Sequence, residues 1–287
     1  MNVQLFQPGE LLSPYIENYM LVDIDWRNMS SPATVWRLIP FGQISMLFLY
    51  GDAHGYNVTG AAAPMENTSN AFMVGQLTRP LWLKFSGRTQ LIKIQFKPAG
   101  IRRLLPFNMN ECTDVPCIDL ETIWGAAVRA LPEQLHSAKE NKQRVLLLEH
   151  FLEKRLLPAH EQAAYIEYTI RKLESGRGNI NITGLETKLG ITGRHLERLF
   201  KARVGLTPKE IGKMIRLNYA FTCLEKNPGM SLTSLSHESG YYDQAHFSRD
   251  FKKIAGISPS RLFAANSSEL FVTHGKCFMK NTFLQSA

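Results

Sequence analysis

The chain repeats itself, and that repeat constrains its fold more than any other feature. The stretch His195-Leu196-Glu197-Arg198-Leu199-Phe200-Lys201, followed by Gly205-Leu206-Thr207-Pro208, recurs 51 residues later. The second copy reads His246-Phe247-Ser248-Arg249-Asp250-Phe251-Lys252, followed by Gly256-Ile257-Ser258-Pro259. From His195 to Pro208 the His, Arg, Phe, Lys, Gly and Pro are identical in both copies. Upstream the match continues at an offset of 50, with Asn181, Leu185 and Gly190 corresponding to Ser231, Leu235 and Gly240. The one-residue slip falls just after the glycines, where a turn absorbs an insertion. One supersecondary unit is therefore used twice.

Each unit reads as two short helices joined by a tight turn. Asn181 and Ser231 can cap a first helix, because their side-chain oxygens accept from backbone N–H groups that lack a helical partner. Gly190 and Gly240 end that helix, since glycine enters the left-handed region without a Cβ penalty. Thr192 and Asp243 then cap a second helix. One face of it carries Leu196, Leu199 and Phe200 in the first unit and Phe247, Phe251 and Ile254 in the second, at helical spacing. The other face carries Arg194, Glu197, Arg198 and Lys201, or Gln244, His246, Arg249, Lys252 and Lys253. A helix that buries one stripe and offers a basic one outward is suited to enter a major groove.

At these residues the chain resembles the AraC/XylS family of bacterial transcription regulators, over roughly residues 163–263. The resemblance rests on both helix-turn-helix units, on the Arg216-Leu217-x-x-Ala220 pattern between them, and on Gly240-Tyr241-x-Asp243-x-x-x-Phe247-Ser248-Arg249-x-Phe251-Lys252-Lys253. It departs from the family at Glu186 and Ser236, where alanine is usual, and at Arg261-Leu262-Phe263, which replaces a Tyr-Arg pair. A looser resemblance, to a sensor-like N-terminal domain of some family members, covers Arg37-Leu38-Ile39-Pro40-x-Gly42 and Phe96-Lys97-Pro98-Ala99-Gly100 with Arg103-Leu104-Leu105. Phe41 stands where aspartate is common there.

Charge agrees with this division. Residues 1–168 hold 15 Lys and Arg against 16 Asp and Glu, and residues 169–266 hold 16 against 8. The whole positive excess thus lies in the repeated module, which implies a polyanionic partner for that part alone. The longest apolar run, Met46-Leu47-Phe48-Leu49-Tyr50, is far too short to span a bilayer, and the N-terminus lacks the basic and apolar regions of a secretory signal. A cytoplasmic protein is expected.

The expected fold class is α+β, with a mostly-β N-terminal domain and trailing helices over 1–158. An all-α tandem helix-turn-helix DNA-binding domain follows over 159–265, and then a tail over 266–287 without periodic pattern, read as lacking order. Ile92, Ile94 and Phe96 alternate with Lys93, Gln95 and Lys97, as in a half-buried strand, and residues 81–85 alternate likewise. Residues 35–39 and 43–49 flank Pro40-Phe41-Gly42 as if in a hairpin, and 51–70 reads as a loop. Helices are expected over 99–105, 120–131 and 142–157, the last with Leu146, Leu147, His150, Phe151 and Lys154 on one face. Ala163–Leu173 would lead the DNA-binding module. Thr207-Pro208-Lys209-Glu210 forms a capping box, with proline in the first turn of a helix that runs to about Lys226 and links the two units.

The candidate DNA-binding residues are Thr192, Arg194, His195, Glu197, Arg198 and Lys201 in the first unit. Asp243, Gln244, His246, Arg249, Lys252 and Lys253 are those of the second. Lysines here neutralise phosphates, giving affinity without sequence preference, while Gln244 and Glu197 suit base edges. Two alternatives stand beside these: Glu197 pairing with Lys201 at i,i+4, and His195 serving its own scaffold. Arg198 and Arg249 either read guanine or clamp phosphate. Double-stranded DNA is the expected partner; the resemblance adds RNA polymerase, a small-molecule effector at the N-terminal domain and a second copy of the chain.

An enzyme joined to such a module, for example a DNA-repair methyltransferase that also regulates, is the alternative reading. It needs a poised cysteine, and only Cys112 and Cys117 precede the module, without a Cys-x-x-Cys or a nearby His pair. No catalytic residue, metal site or cofactor is therefore assigned. A purely architectural DNA-binding protein is a third class, disfavoured by the large N-terminal part.

Overall fold

In the computed structural model the residues described are 2–28, 34–51, 56–58, 66–67, 69–85, 87–158, 163–227, 229–263, 270–273, 276–279 and 282–283. The N-terminal part is built from strands β1 (Asn2–Phe6), β2 (Ile16–Asp25), β3 (Thr34–Leu38), β4 (Ser45–Leu49), β5 (Tyr56–Val58), β6 (Glu66–Asn67), β7 (Ala71–Val74), β8 (Leu81–Phe85), β9 (Arg88–Phe96) and β10 (Ile118–Asp119). One sheet has the order β1-β2-β9-β4-β7-β10, with every neighbour antiparallel. A second sheet holds β3, β8, β5 and β6. Helices α1 (Glu121–Trp124), α2 (Ala126–Arg129), α3 (Leu131–Ser137) and α4 (Asn141–Glu153) follow.

The first sheet is covered on both faces. Met46, Phe48, Ile92, Ile94 and Phe96 point to one side, into a core shared with Leu104, Leu105, Leu135, Leu148 and Leu152. Leu47, Leu49 and Leu91 point to the other, where they meet Trp26, Phe72 and Leu81. The alternation around Ile92 is real, but its polar members face the inside of the β sandwich: Gln95 is buried and Lys93 half-buried. In α4 the expected apolar face is the wrong one. Val145, Leu148 and Leu152 are buried while Leu146 and Leu147 are exposed. Helical spacing fits both stripes of a leucine-rich segment, and only the core decides between them.

The chain around Pro40 does not form a hairpin. Strand β3 pairs with β8 in the second sheet and β4 with β9 and β7 in the first, so residues 39–44 cross between sheets. They cross because Ile39 has a better place to go. It is 1% exposed, in a cluster with Leu217, Phe221, Phe251 and Ile254 of the C-terminal part. The Phe41 ring lies edge-on to Phe221 at 6.1 Å. Gly42, at φ +74°, turns the chain back against Ile211 and Met214.

The C-terminal part contains α5 (Ala163–Ser175), α6 (Ile182–Leu189), α7 (Gly193–Val204), α8 (Pro208–Lys226), α9 (Leu232–Glu238), α10 (Gln244–Ala255) and α11 (Pro259–Phe263). The expected boundary near Pro158 adjoins residues 159–162, which lie outside the described residues. Much of the expected loop 51–70 also lies outside them, and its described residues include the short strands β5 and β6. The tail contains regular structure after all: β11 (Leu270–Thr273), β12 (Lys276–Met279) and β13 (Thr282–Phe283) extend the second sheet, β11 running parallel to β3. A strand paired at a sheet edge needs no apolar period of its own.

Replacing Ile39 with alanine will destabilise the chain by about 2–4 kcal/mol, as other buried isoleucine truncations do. Urea unfolding of the full chain measures this. A loss under about 0.5 kcal/mol, typical of surface positions, would mean that the contact between the two parts carries no load.

Candidate nucleic-acid interface

Each unit is capped as its sequence requires. The side chains of Asn181, Thr192, Ser231 and Asp243 accept from Gly184, His195, Ser234 and His246 backbone N–H groups, opening α6, α7, α9 and α10. Gly190 and Gly240 lie in the left-handed region at the two turns, and Gly205 and Gly256 do so after α7 and α10. The two departures from the alanine pattern also have local roles. The Glu186 carboxylate accepts from the Gly193 N–H, a second cap on α7, and the buried Ser236 hydroxyl donates to the Thr233 carbonyl at 2.7 Å.

Helix α8 holds the units together. The capping box is complete: Thr207 accepts from the Glu210 N–H while the Glu210 carboxylate accepts from the Thr207 N–H at 2.8 Å. Leu217, Ala220 and Phe221 bury one side of α8 against Phe247, Phe251 and Ile254. Arg216 donates to the Gly178 carbonyl and the Asn179 side chain, and its guanidinium lies 4.9 Å from the Tyr241 ring centre. It thus ties the turn after α5 to the second unit. Asp250, standing where the first unit has Leu199, is buried and pairs with Lys213 at 2.8 Å. An acid in the core register of a repeat was the available signal for this link between α10 and α8.

Of the expected DNA-facing residues, Arg194, Glu197, Arg198 and Lys201 are exposed along α7, and Gln244, His246, Arg249, Lys252 and Lys253 along α10. Thr192 and Asp243 are exposed as well, with their oxygens engaged as caps. His195 is half-buried, its Nδ1 3.1 Å from Arg198 Nη2, so it steadies that arginine. His246 stands edge-on to Tyr241 at 5.2 Å and lies 3.6 Å from Asp250. The Gln244 carbonyl accepts from Thr233 at 2.8 Å, which fixes its side chain across the turn. The sequence reading missed Tyr242, which is 90% exposed beside the cap of α10. It lies in the turn that holds the one-residue insertion between the units, and that was its only signal.

The ends of both second helices are gripped by the N-terminal part. Gly205, closing α7, packs where an added Cβ would lie 3.0 Å from Met109 O and Thr113 Oγ1, and its carbonyl accepts from Thr113 at 2.8 Å. Gly256, closing α10, packs on Pro80, 2.7 Å from where a Cβ would stand. Beneath the 38–41 crossing lies a small apolar cavity of about 100 Å³, between Val22, Trp26, Leu47 and Leu91, with Lys93 as its charged group. Burial pulls the Lys93 pKa down to about 8.

The sequence pattern of a helix-turn-helix domain matches residues 185–265. These residues form a helix-turn-helix domain. Residues 4–117 match a domain of unknown function, DUF6597. Over 80 residues the chain is 31% identical to the HTH-type transcriptional regulator GlxA of Rhizobium meliloti (strain 1021), covering 28% of this chain and 24% of that protein. Over 99 residues it is 28% identical to the Msm operon regulatory protein of Streptococcus mutans (serotype c), covering 34% and 35%. The chain thus spans between about a quarter and a third of the length of these relatives. A crystal structure of ToxT from Vibrio cholerae superimposes with a TM-score of 0.47 at 12% identity, covering 85% of this chain and 97% of that one.

The cysteines before the module are not poised for chemistry. Burial raises the Cys112 thiol to about 11, with Glu111 adding, and the Cys117 thiol to about 12. Among the described residues no three His, Cys, Asp or Glu side chains cluster as metal ligands, and no helix is long and apolar enough to cross a membrane.

Lys93→Met will raise stability at pH 7 by about 1–3 kcal/mol, because it removes a charge held in the sandwich against desolvation. The pH dependence follows. Between about 8 and the ordinary 10.5 the unfolded lysine holds its proton and the folded one has shed it, so wild-type stability gains as pH rises. The difference between the two proteins should therefore shrink across that window in urea titrations. A constant difference would show that Lys93 is not desolvated.

Proposed function

We propose that this chain is a sequence-specific DNA-binding transcription regulator. Residues 159–265 would bind DNA and residues 1–158 would regulate that binding. The observation that carries the reading is the pair of capped second helices, α7 and α10, each with an exposed basic face and both fixed to one connecting helix. Recognition helices of this kind enter major grooves about 34 Å apart along one face of the duplex. One chain would then cover on the order of two helical turns, with an asymmetric sequence because the two faces differ. Arg198 and Arg249 are the proposed base readers, held by His195 and by the Ala245 carbonyl respectively. Lys201, Lys252 and Lys253 are the proposed phosphate contacts, and Tyr242 adds an exposed aromatic group at the turn. Such a role places the protein in the bacterial cytoplasm.

The cavity beneath residues 38–41 is the proposed seat of a small-molecule effector. Its wall includes Ile39 and Phe41, which pack on α8 and α10, so a ligand that moved this wall would move the second reading head. At about 100 Å³ it is smaller than the roughly 300–1,000 Å³ of most ligand pockets, so an occupant has to be small or the wall has to yield.

Substituting Arg198 and Arg249 singly with alanine, and rescoring all four bases across a selected site, tests the assignment. A bidentate arginine–guanine contact discriminates by about 1–3 kcal/mol, so preference should relax at one or two positions. Uniform weakening with a shallower salt dependence would make both arginines phosphate anchors instead. Absence of any preferred sequence for the full chain would reject the regulator reading.

A further inference from the structure

The apolar cavity is not the only opening among the described residues. A cleft of about 640 Å³ lies between the N-terminal part and helices α5 and α7. One wall is Lys97-Pro98-Ala99-Gly100 with the arginines after it, part of a sequence motif that the DNA-binding reading leaves without a role. Gly100 is required there because the chain passes the Tyr15 carbonyl so closely that a Cβ would stand 1.9 Å from its oxygen. That close pass starts the short 3-10 turn Gly100–Arg103, and Arg102 and Arg103 line the cleft. Arg203 enters from the opposite wall, on the buried side of α7.

None of the three guanidinium groups forms an ion pair among the described residues, although the Glu111 carboxylate is near enough to Arg102 to favour its charge. Arg203 is 9% exposed and has no hydrogen bond or ion pair among the described residues. Arg102 donates Nη1 to the Leu105 and Phe107 carbonyls, while its Nε is buried without a partner. Arg103 lies 4.7 Å from the Tyr15 ring centre, with Nε and Nη1 both buried and unpartnered. Arginine cannot shed its proton in a protein, so titration cannot relieve the charge. The carboxylates of the cleft do not neutralise it: Glu167 sits 3.9 Å from Arg171, and no ion pair among the described residues joins Glu17 or Glu174 to these arginines.

We propose that this cleft binds a small anion carrying a phosphate or carboxylate group, held between Arg102 and Arg103 of the N-terminal part and Arg203 of α7. Arginine forks suit planar, bidentate recognition of both groups. The volume falls within the range of small-molecule sites. Arg203 shares the buried side of α7 with Leu196, Leu199 and Phe200, away from the exposed basic face, so the anion is not the DNA backbone. Bound there, it would lock α7 to the N-terminal part. The inference goes beyond the regulator reading and stands independently of it.

Thermal unfolding of the full chain in phosphate, in succinate and in chloride at matched ionic strength tests it. A saturable rise in Tm is expected with phosphate or with succinate, and which of them acts separates the two sources of charge. Arg203→Met should abolish the saturable rise, and without added anion it should be at least as stable as wild type, because an unpaired buried charge is gone. A merely structural arginine would instead lose stability on substitution. Arg198→Ala should keep the rise, which excludes binding at the DNA-facing side. Should Arg203→Met fail to fold, the arginine is structural and the proposal falls. Arg102→Gln provides a second reading, with the midpoint concentration weakened about tenfold. No saturable rise with either anion, or a rise that survives Arg203→Met, would likewise overturn it. DNA binding measured on the same variants reports separately on the regulator reading.

Discussion

The two parts of this molecule meet where one apolar side chain enters a foreign core. Ile39 leaves the N-terminal sandwich and completes the cluster formed by α8 and α10, where Phe41 follows it onto Phe221. With Ile39 in that seat, β3 lies in the second sheet and β4 in the first. The chain between them spans the gap, and two residues that pack on the C-terminal part, Ile39 and Phe41, wall the cavity beneath. Gly205 and Gly256 extend the same constraint, since the N-terminal part meets the equivalent residue of each repeat, at Thr113 and at Pro80. The two helices α7 and α10 are thus gripped by the N-terminal part at equivalent points.

What could be read in the sequence was what is local. A cap is decided within four residues, and Asn181, Thr192, Thr207, Ser231 and Asp243 all accept the backbone N–H that their positions imply. The buried stripes of α7 and α10 were legible for the same reason, because helical period and repeat register select the same residues. Even Glu186 obeys local logic: at the place of an alanine it reaches the open end of the next helix.

What could not be read depended on partners distant in the chain. Residues 35–49 have hairpin composition, and nothing in them reports that Ile39 belongs beside Ile254. In α4 the leucines offer two stripes, and only the sheet determines that Leu148 and Leu152 are inside. Lys93 and Gln95 looked like a solvent face because polar alternation usually means one; a second sheet covers them instead. Asp250 and Arg203 are charges in core positions, and their meaning lies in what stands opposite: Lys213 for the first, an open cleft for the second.

The separation of Ile39 from its seat also orders events in time. During synthesis the N-terminal strands emerge first, while α10 follows about 200 residues later. At roughly 5–20 residues per second this is on the order of 10–40 s. Throughout that interval Ile39 and Phe41 have no core to enter, and the nascent domain carries them in water at its rim. Helices made later are therefore the ones that finish a domain made earlier.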